Sequence, residues 1–534
     1  MRHAVRLSWE AASLVRRMHD GFPPPAGSAG RRARNGGSRG EGMNPTNEPL
    51  IIQGGMGVGV SSWRLARTVS RLGQLGVVSG TALDGVVARR LQLGDPGGQL
   101  RRVIARFPVS AVARRVMQRF YIAGGKAPDA PFRNAPMHTV PGSEAAYDLT
   151  VLASFVEVTL AKQGHGGVVG MNLLEKIQLP NLPALYGALL AGVDYILMGA
   201  GIPREIPGAL DRLARHEPAS LTLHVEGLKP GEPTPTIDFD PARYVPEGGA
   251  PLKRPKFLAI IASDVLAVSL ARKATGKVDG FVVEAPTAGG HNAPPRGVQQ
   301  LNERGEPIYG LRDEVNLGKL RELGLPFWLA GGTGFPEKLV EAIRSGAAGI
   351  QVGTPFAFCE ESGIAGWLKE KALGLLRKNQ IDVYTDPLAS PTGFPFKVVQ
   401  VPDTMADEEL YQERGRICDL GYLRSVYRQE NGRYGYRCPS EPVEEFVRKG
   451  GDVTETAGRK CLCNGLFSTI DLGQERSYGT ELPIMTSGDD MRGVARLLPT
   501  NGWGYSAVDV VRYLLSGLSS RLPTPVSAAG ASTV

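Results

Sequence analysis

A (β/α)8 TIM barrel with long insertions and a cysteine-containing C-terminal extension is the fold class this sequence predicts. Three observations carry the prediction. Short apolar runs alternate with amphipathic stretches from Pro49 to about Gly353. Glycine-rich turns follow several of those runs. Beyond Thr354 the alternation stops and a more polar segment begins, holding four of the five cysteines after Val401. Strands alternating with helices imply a parallel sheet with helices outside it.

The elements can be taken in order. Ile51-Ile52 is the first strand, running into Gly54-Gly55. Ser61-Ser62 can cap a helix that puts Leu65, Val69 and Leu72 on one face, and Gly73 can end it. Leu75–Ser79 is the second strand, followed by Thr81 and a helix through Arg90. The remaining six are Val168–Asn172, Tyr195–Met198, Phe257–Ile261, Phe281–Glu284, Phe327–Ala330 and Gly349–Val352. A ninth apolar run, Leu221–Val225, is placed with Thr236–Phe239 in an excursion off the barrel. Residues 95–145 and 292–325 are insertions longer than ordinary connections, and long loops at the C-terminal face usually shape an active site. Surface decoration, or contact between copies in a homo-oligomer, explains them equally well.

Three domains are expected: a disordered leader at 1–45, the barrel at 46–400 and the extension at 401–534. Residues 1–42 hold eight arginines, no lysine and three acidic residues, and turn Pro/Gly/Ser/Arg-rich after Phe22. A transit peptide is a second reading of that segment, and a start at Met43 a third. The leader supplies most of the formal charge of +8. The rest is nearly balanced, which excludes a basic nucleic-acid surface on the folded body. No uncharged apolar stretch reaches 18 residues, and the best candidate, Leu179–Val193, is interrupted by Pro180 and Pro183, so no membrane span is expected. Five cysteines do not make a disulfide scaffold, and a reducing cytoplasm is the expected location.

The residues that carry chemistry sit at strand ends. Ala330-Gly331-Gly332-Thr333-Gly334 and Gln351-Val352-Gly353-Thr354 each close a strand, one helix apart (Pro336–Arg344, stopped by Ser345-Gly346). In a barrel that places two side-chain-poor turns together, where backbone N–H groups and a helix start can hold a phosphate. Ala288-Gly289-Gly290-His291 follows the sixth strand. Its small residues let the backbone approach a flat ligand, with one imidazole projected over it. Gln53-Gly54-Gly55-Met56 forms a third turn at the same end, and Asn172 ends the third strand. His165, just before a strand, is on the opposite face and reads as structural.

These blocks resemble the nitronate monooxygenase family, once called 2-nitropropane dioxygenases, whose relatives include flavin-dependent enoyl-thioester reductases. The likeness covers roughly residues 49–395. It includes Gly170-Met171-Asn172-Leu173, Ala262-Ser263 before a helix, Phe356 and Ser390-Pro391-Thr392-Gly393 as well as the turns above. It implies FMN in the barrel, with Ser263 joining the turn residues around it, and His291 as the base that removes the α-proton of a nitroalkane. It further implies oxidation of the nitronate, with dioxygen, to a carbonyl compound and nitrite. The long insertions, Asn292-Ala293-Pro294-Pro295 and the extension depart from the pattern and leave the substrate open. An enoyl-thioester (enoyl-ACP) reductase using NADH or NADPH is the alternative, and a non-catalytic flavin- or phosphate-binding protein a third.

Cys418, Cys438, Cys461 and Cys463 could together bind zinc or an iron–sulfur cluster, although Cys-x-Cys is not the usual knuckle spacing. Ordinary cysteines in a packed extension are the other reading. Cys359, after Phe358, reads as core.

Overall fold

The computed structural model of the chain describes residues 48–500, 502 and 504–519. The leader expected at 1–45 lies outside them. Eight parallel strands form one sheet: β1 (Ile51–Gln53), β2 (Gly76–Ser79), β3 (Val169–Leu174), β4 (Tyr195–Gly199), β5 (Lys256–Ile261), β6 (Gly280–Glu284), β7 (Phe327–Ala330) and β8 (Gly349–Val352). Their order is β1-β8-β7-β6-β5-β4-β3-β2. The sheet closes where Gln53 N donates to Leu75 O at 2.9 Å and Leu75 N donates to Ile51 O at 3.0 Å. The fold is a (β/α)8 TIM barrel, and its eight strands are the eight read from the sequence.

Alternation along each strand divides the core in two. Ile52, Val77, Leu197, Leu258, Val282 and Trp328 point inward and form a closed cluster inside the barrel. Ile51, Val78, Ile196, Phe257, Phe281 and Ile350 point outward against the helices. Glu48 closes the N-terminal end by accepting from Tyr195 Oη at 2.8 Å and Lys256 Nζ at 2.5 Å. The interior is therefore packed up to one level below the C-terminal rim, and the last inward positions are free to face a ligand.

The helix expected after Ser61-Ser62 is Trp63–Arg71, but neither serine caps it with its side chain. Ser61 Oγ is used instead in the turn before it, donating to Gly54 O at 2.7 Å. The ninth run behaves as expected. Ala219–Thr222 pairs antiparallel with Thr236–Phe239, away from the barrel. The run Leu179–Val193 holds the buried helix Asn181–Leu190. Among the described residues no helix is long and apolar enough to cross a membrane.

Residues beyond 400 pack onto the barrel. Phe132 N donates to Gln474 Oε1 at 2.7 Å, and the Arg89 guanidinium, 1% exposed, donates to Leu472 O. Tyr422 Oη reaches Asp84 at 2.7 Å.

Candidate functional site

Period-two alternation decides which rim residues reach the centre. One step beyond the inner cluster, Asn172, Gly199, Ile260, Glu284, Ala330 and Gln351 all line a cavity at the C-terminal end of the strands. The turns complete its wall. Gly54, Gly55 and Met56 come from the turn after β1, Ala288, Gly289 and Gly290 from the turn after β6. Gly331, Gly332 and Thr333 follow β7, and Gly353 and Thr354 follow β8. Fourteen of the sixteen residues expected to catalyse or hold the cofactor thus meet in one place, His291 included.

Two do not. Gln53 shares its face with Ile51, which packs outward, and is 0% exposed. Its amide braces the turn: Nε2 donates to Ser61 Oγ at 2.8 Å and Oε1 accepts from Val77 N at 3.1 Å. The expected flavin contact is therefore corrected to a positioning role. Ser263 is the N-cap of helix Asp264–Lys273, accepting from Leu266 N at 3.3 Å, and lines a neighbouring chamber instead.

The cavity offers backbone and amides. Gly331 has φ +89°, a conformation that side-chain-bearing residues rarely adopt, and an added Cβ would lie 2.9 Å from Thr287 Oγ1. Thr333 Oγ1 donates to Gln351 O at 2.7 Å, which ties the glycine turns after β7 and β8 together. Asn172 Nδ2 donates to Gly55 O at 3.0 Å, leaving its Oδ1 buried without a partner. Gln351 Oε1 is likewise buried and unpartnered. Both residues line the cavity, and buried acceptors without donors are uncommon.

The extension supplies a wall the sequence did not suggest. Leu466, Thr486, Ser487, Gly488 and Asp490 line the cavity. Thr486 Oγ1 accepts from Gly290 N at 2.9 Å, and Gly488 N donates to Thr354 Oγ1 at 2.9 Å. An added Cβ on Gly289 would sit 2.6 Å from the Ser487 carbonyl carbon, so a glycine is needed there for the two segments to touch.

His291 stands in the wall between this cavity and a side chamber of about 260 Å³. Among the described residues only Ala200, Ile260, Glu284 and His291 line both spaces. His291 Nε2 is hydrogen-bonded to Ser390 Oγ at 2.7 Å, and its ring meets Phe396 edge-on at 4.9 Å. The 396–399 strand supports this loop, with Lys397 N donating to Gly290 O at 3.0 Å. Burial lowers the His291 imidazole to about 4, so it is neutral at pH 7. Burial raises the Glu284 carboxyl to about 7, with no charge close enough to offset it. Both side chains are only partly covered, each facing open space. His165 Nε2 is bonded to Ala161 O at 2.7 Å, as a structural histidine should be.

The four cysteines do come together, around a cavity of only about 10 Å³. They do not fit a metal. Among the described residues no three His, Cys, Asp or Glu side chains are arranged to hold one. Cys461 Sγ is engaged by Ile417 O at 3.7 Å and Asn464 Nδ2 at 3.5 Å. A hydrogen bond from Cys438 lowers the Cys418 thiol and raises its partner's, and burial raises Cys461 and Cys463. The zinc or iron–sulfur expectation is corrected to a packed thiol cluster. Cys359 is 0% exposed, in the core.

No protein-family model matches the chain, and no curated protein matches it either. Solved structures do. FabK from Thermotoga maritima aligns at 15% identity and TM-score 0.43, covering 89% of this chain and 93% of that one. Nitroalkane oxidase from Streptomyces ansochromogenes aligns at 15% and 0.40, covering 88% and 96%. The enoyl reductase domain of MlnA, from the macrolactin biosynthesis cluster of Bacillus amyloliquefaciens, aligns at 12% and 0.43, covering 88% and 94%.

Proposed function

We propose that this chain is an FMN-dependent oxidoreductase of the nitronate monooxygenase type, oxidising nitronates or nitroalkanes with dioxygen to a carbonyl compound and nitrite. The observation that carries the reading is the rim cavity, with its glycine turns and the two unpartnered acceptors Asn172 Oδ1 and Gln351 Oε1. Those residues suit FMN. The amide oxygens can accept from a flavin ring edge, and the turns at Gly331-Gly332 and Gly353-Thr354 suit a single phosphate monoester. FMN, when bound, supplies the electron transfer that no protein side chain can perform. The chain's own part is to hold the substrate at the wall of Glu284 and His291, to exclude water, and to manage one proton.

The enoyl-thioester reductase reading draws on the side chamber. It is as roomy as the flavin cavity, about 260 Å³ against 220 Å³, and it carries Arg296 and Tyr309 in its lining. A small nitroalkane needs less space than that. Anaerobic reduction of the bound flavin separates the two. Under the leading reading a nitronate reduces it rapidly and NADH and NADPH do not. Rapid reduction by either nicotinamide, with no response to nitronate, replaces it with the reductase.

A further inference from the structure

The cysteine cluster borders the segment that holds His291. Pro391 lines the same small space as Cys418, Cys438, Cys461 and Cys463. Its neighbour Ser390 is the hydrogen-bond partner of His291 Nε2. The backbone leading into the cluster also carries that segment. Lys460 N donates to Ala389 O at 2.9 Å, and the Arg459 guanidinium donates to Ser390 O at 2.6 Å and Leu388 O at 2.7 Å. Lys460 O in turn accepts from Ser440 Oγ at 2.8 Å, just beyond Cys438. The thiols, Ser390 and His291 thus belong to one connected piece of structure.

The four thiols are not equivalent. Cys438 and Cys461 are buried, whereas Cys418 and Cys463 are partly exposed. Cys461 Sγ is already engaged with Ile417 O and Asn464 Nδ2, and burial raises both Cys461 and Cys463. Cys418 accepts a hydrogen bond from Cys438, which favours its thiolate. Arg424 adds positive charge and spends its hydrogen bonds on the carbonyls of Gly421 and His138, so that charge is not neutralised. Lys449 acts in the same direction and Glu441 opposes it, the two being paired at 2.6 Å. An accessible thiol that favours the thiolate, with a second thiol already in contact, suits reversible oxidation.

We propose that Cys418 and Cys438 are a hydroperoxide-sensitive pair that closes into a reversible disulfide, and that closure shifts the Ser390 segment against which His291 is held. The Cys418 sulfur attacks one oxygen of hydrogen peroxide. The O–O bond breaks, hydroxide leaves, and Cys418 becomes a sulfenic acid. The Cys438 sulfur then attacks the sulfenic sulfur. An S–S bond forms, the S–O bond breaks, and the Cys438 proton leaves with the hydroxide as water. Two thiols and one hydrogen peroxide become one disulfide and two waters, the sulfurs losing the two electrons that the peroxide oxygens gain. A covalent S–S bond is shorter than the hydrogen-bonded contact it replaces. Closure therefore draws on the turn in which Glu441 N donates to Cys438 O, and through Ser440 and Lys460 on Ala389 and Ser390. Neither step depends on which substrate the flavin site takes.

The test treats the reduced full chain with hydrogen peroxide in slight excess. Non-reducing peptide mapping should recover Cys418 joined to Cys438, and dithiothreitol should separate them. In Cys438→Ser the sulfenic acid has no second thiol to meet and should be trapped at Cys418 by dimedone. Before oxidation, Cys418 should be alkylated at least about tenfold faster than Cys461 or Cys463, the gain in thiolate for one pH unit of separation. The histidine arm needs neither flavin nor substrate. With isotope-labelled histidine, the His291 ring signal is assigned by its absence from His291→Asn. It should move on oxidation of wild type and stay in place in Cys438→Ser. Cys418 left untouched by peroxide, or joined to Cys461 or Cys463 instead, overturns the pair, and the wild-type map decides this even where a variant fails to fold. A Cys418–Cys438 disulfide that leaves the His291 signal in place overturns its link to the site.

Discussion

Two buried carboxyl–histidine neighbourhoods in this molecule have opposite characters. Asp84, on helix Leu83–Gln92, accepts from Tyr422 Oη at 2.7 Å and is bonded to His138 Nε2 at 2.9 Å. Burial alone would raise its titration, but the bond and charge of His138 and the bond of Tyr422 outweigh it and hold it low. Glu284 has burial without partners and moves up, and His291 moves down. The first group ties three separated segments together. The second keeps a proton available at the edge of two cavities. Partnered burial builds structure, and unpartnered burial toward open space builds reactivity.

The comparison breaks most sharply at Asp84. Asp84→Ala strands His138 and Tyr422 Oη and should cost about 3–5 kcal/mol in chemical denaturation. Because the folded titration of Asp84 is lowered, its contribution is present above the ordinary 3.8 and fades as pH falls through the folded value. A loss below 1 kcal/mol would make the triad incidental.

Glu284→Gln should act in the other direction. The folded carboxyl titrates above its ordinary 4.5, so wild type loses stability as pH rises from there to about 7. Above pH 7 the variant should be the more stable, by up to about 3 kcal/mol. Equal stability at pH 8 would show that Glu284 is not strained by its charge.

His291→Asn sharpens the comparison. If His291 is the base, nitroalkane turnover should fall by ~10²–10⁴-fold while much of the oxidation of a preformed nitronate remains. Equal loss of both would make His291 a residue that positions the substrate. The smallest effect is expected at the contact with the extension. Thr486→Val removes the acceptor for Gly290 N and should weaken FMN binding by about 1 kcal/mol, read by flavin titration.

The barrel was legible because each strand is a short apolar run stopped by glycine or a polar turn, a signal contained within a few residues. The glycine turns were legible for the same reason. Gln53 misled because its motif was read without its parity. Ile51 and Gln53 share the outward face and only Ile52 looks in. The same parity, applied to Val282 and Glu284, would have singled out the carboxyl. Thr486 to Asp490 gave no such signal, since Thr486 meets Gly290 across 196 residues and no local pattern encodes that contact. The cysteines were read correctly as neighbours, but spacing alone could not tell that the space between them is closed and the thiols are engaged with one another or the surrounding chain.

The most direct test of the central claim, that the rim cavity is a flavin mononucleotide site, is identification of the cofactor. Purified full-length protein should be yellow and, on denaturation, release FMN at close to one per chain. Release of FAD, or no flavin retained after reconstitution with FMN, would contradict the site as described.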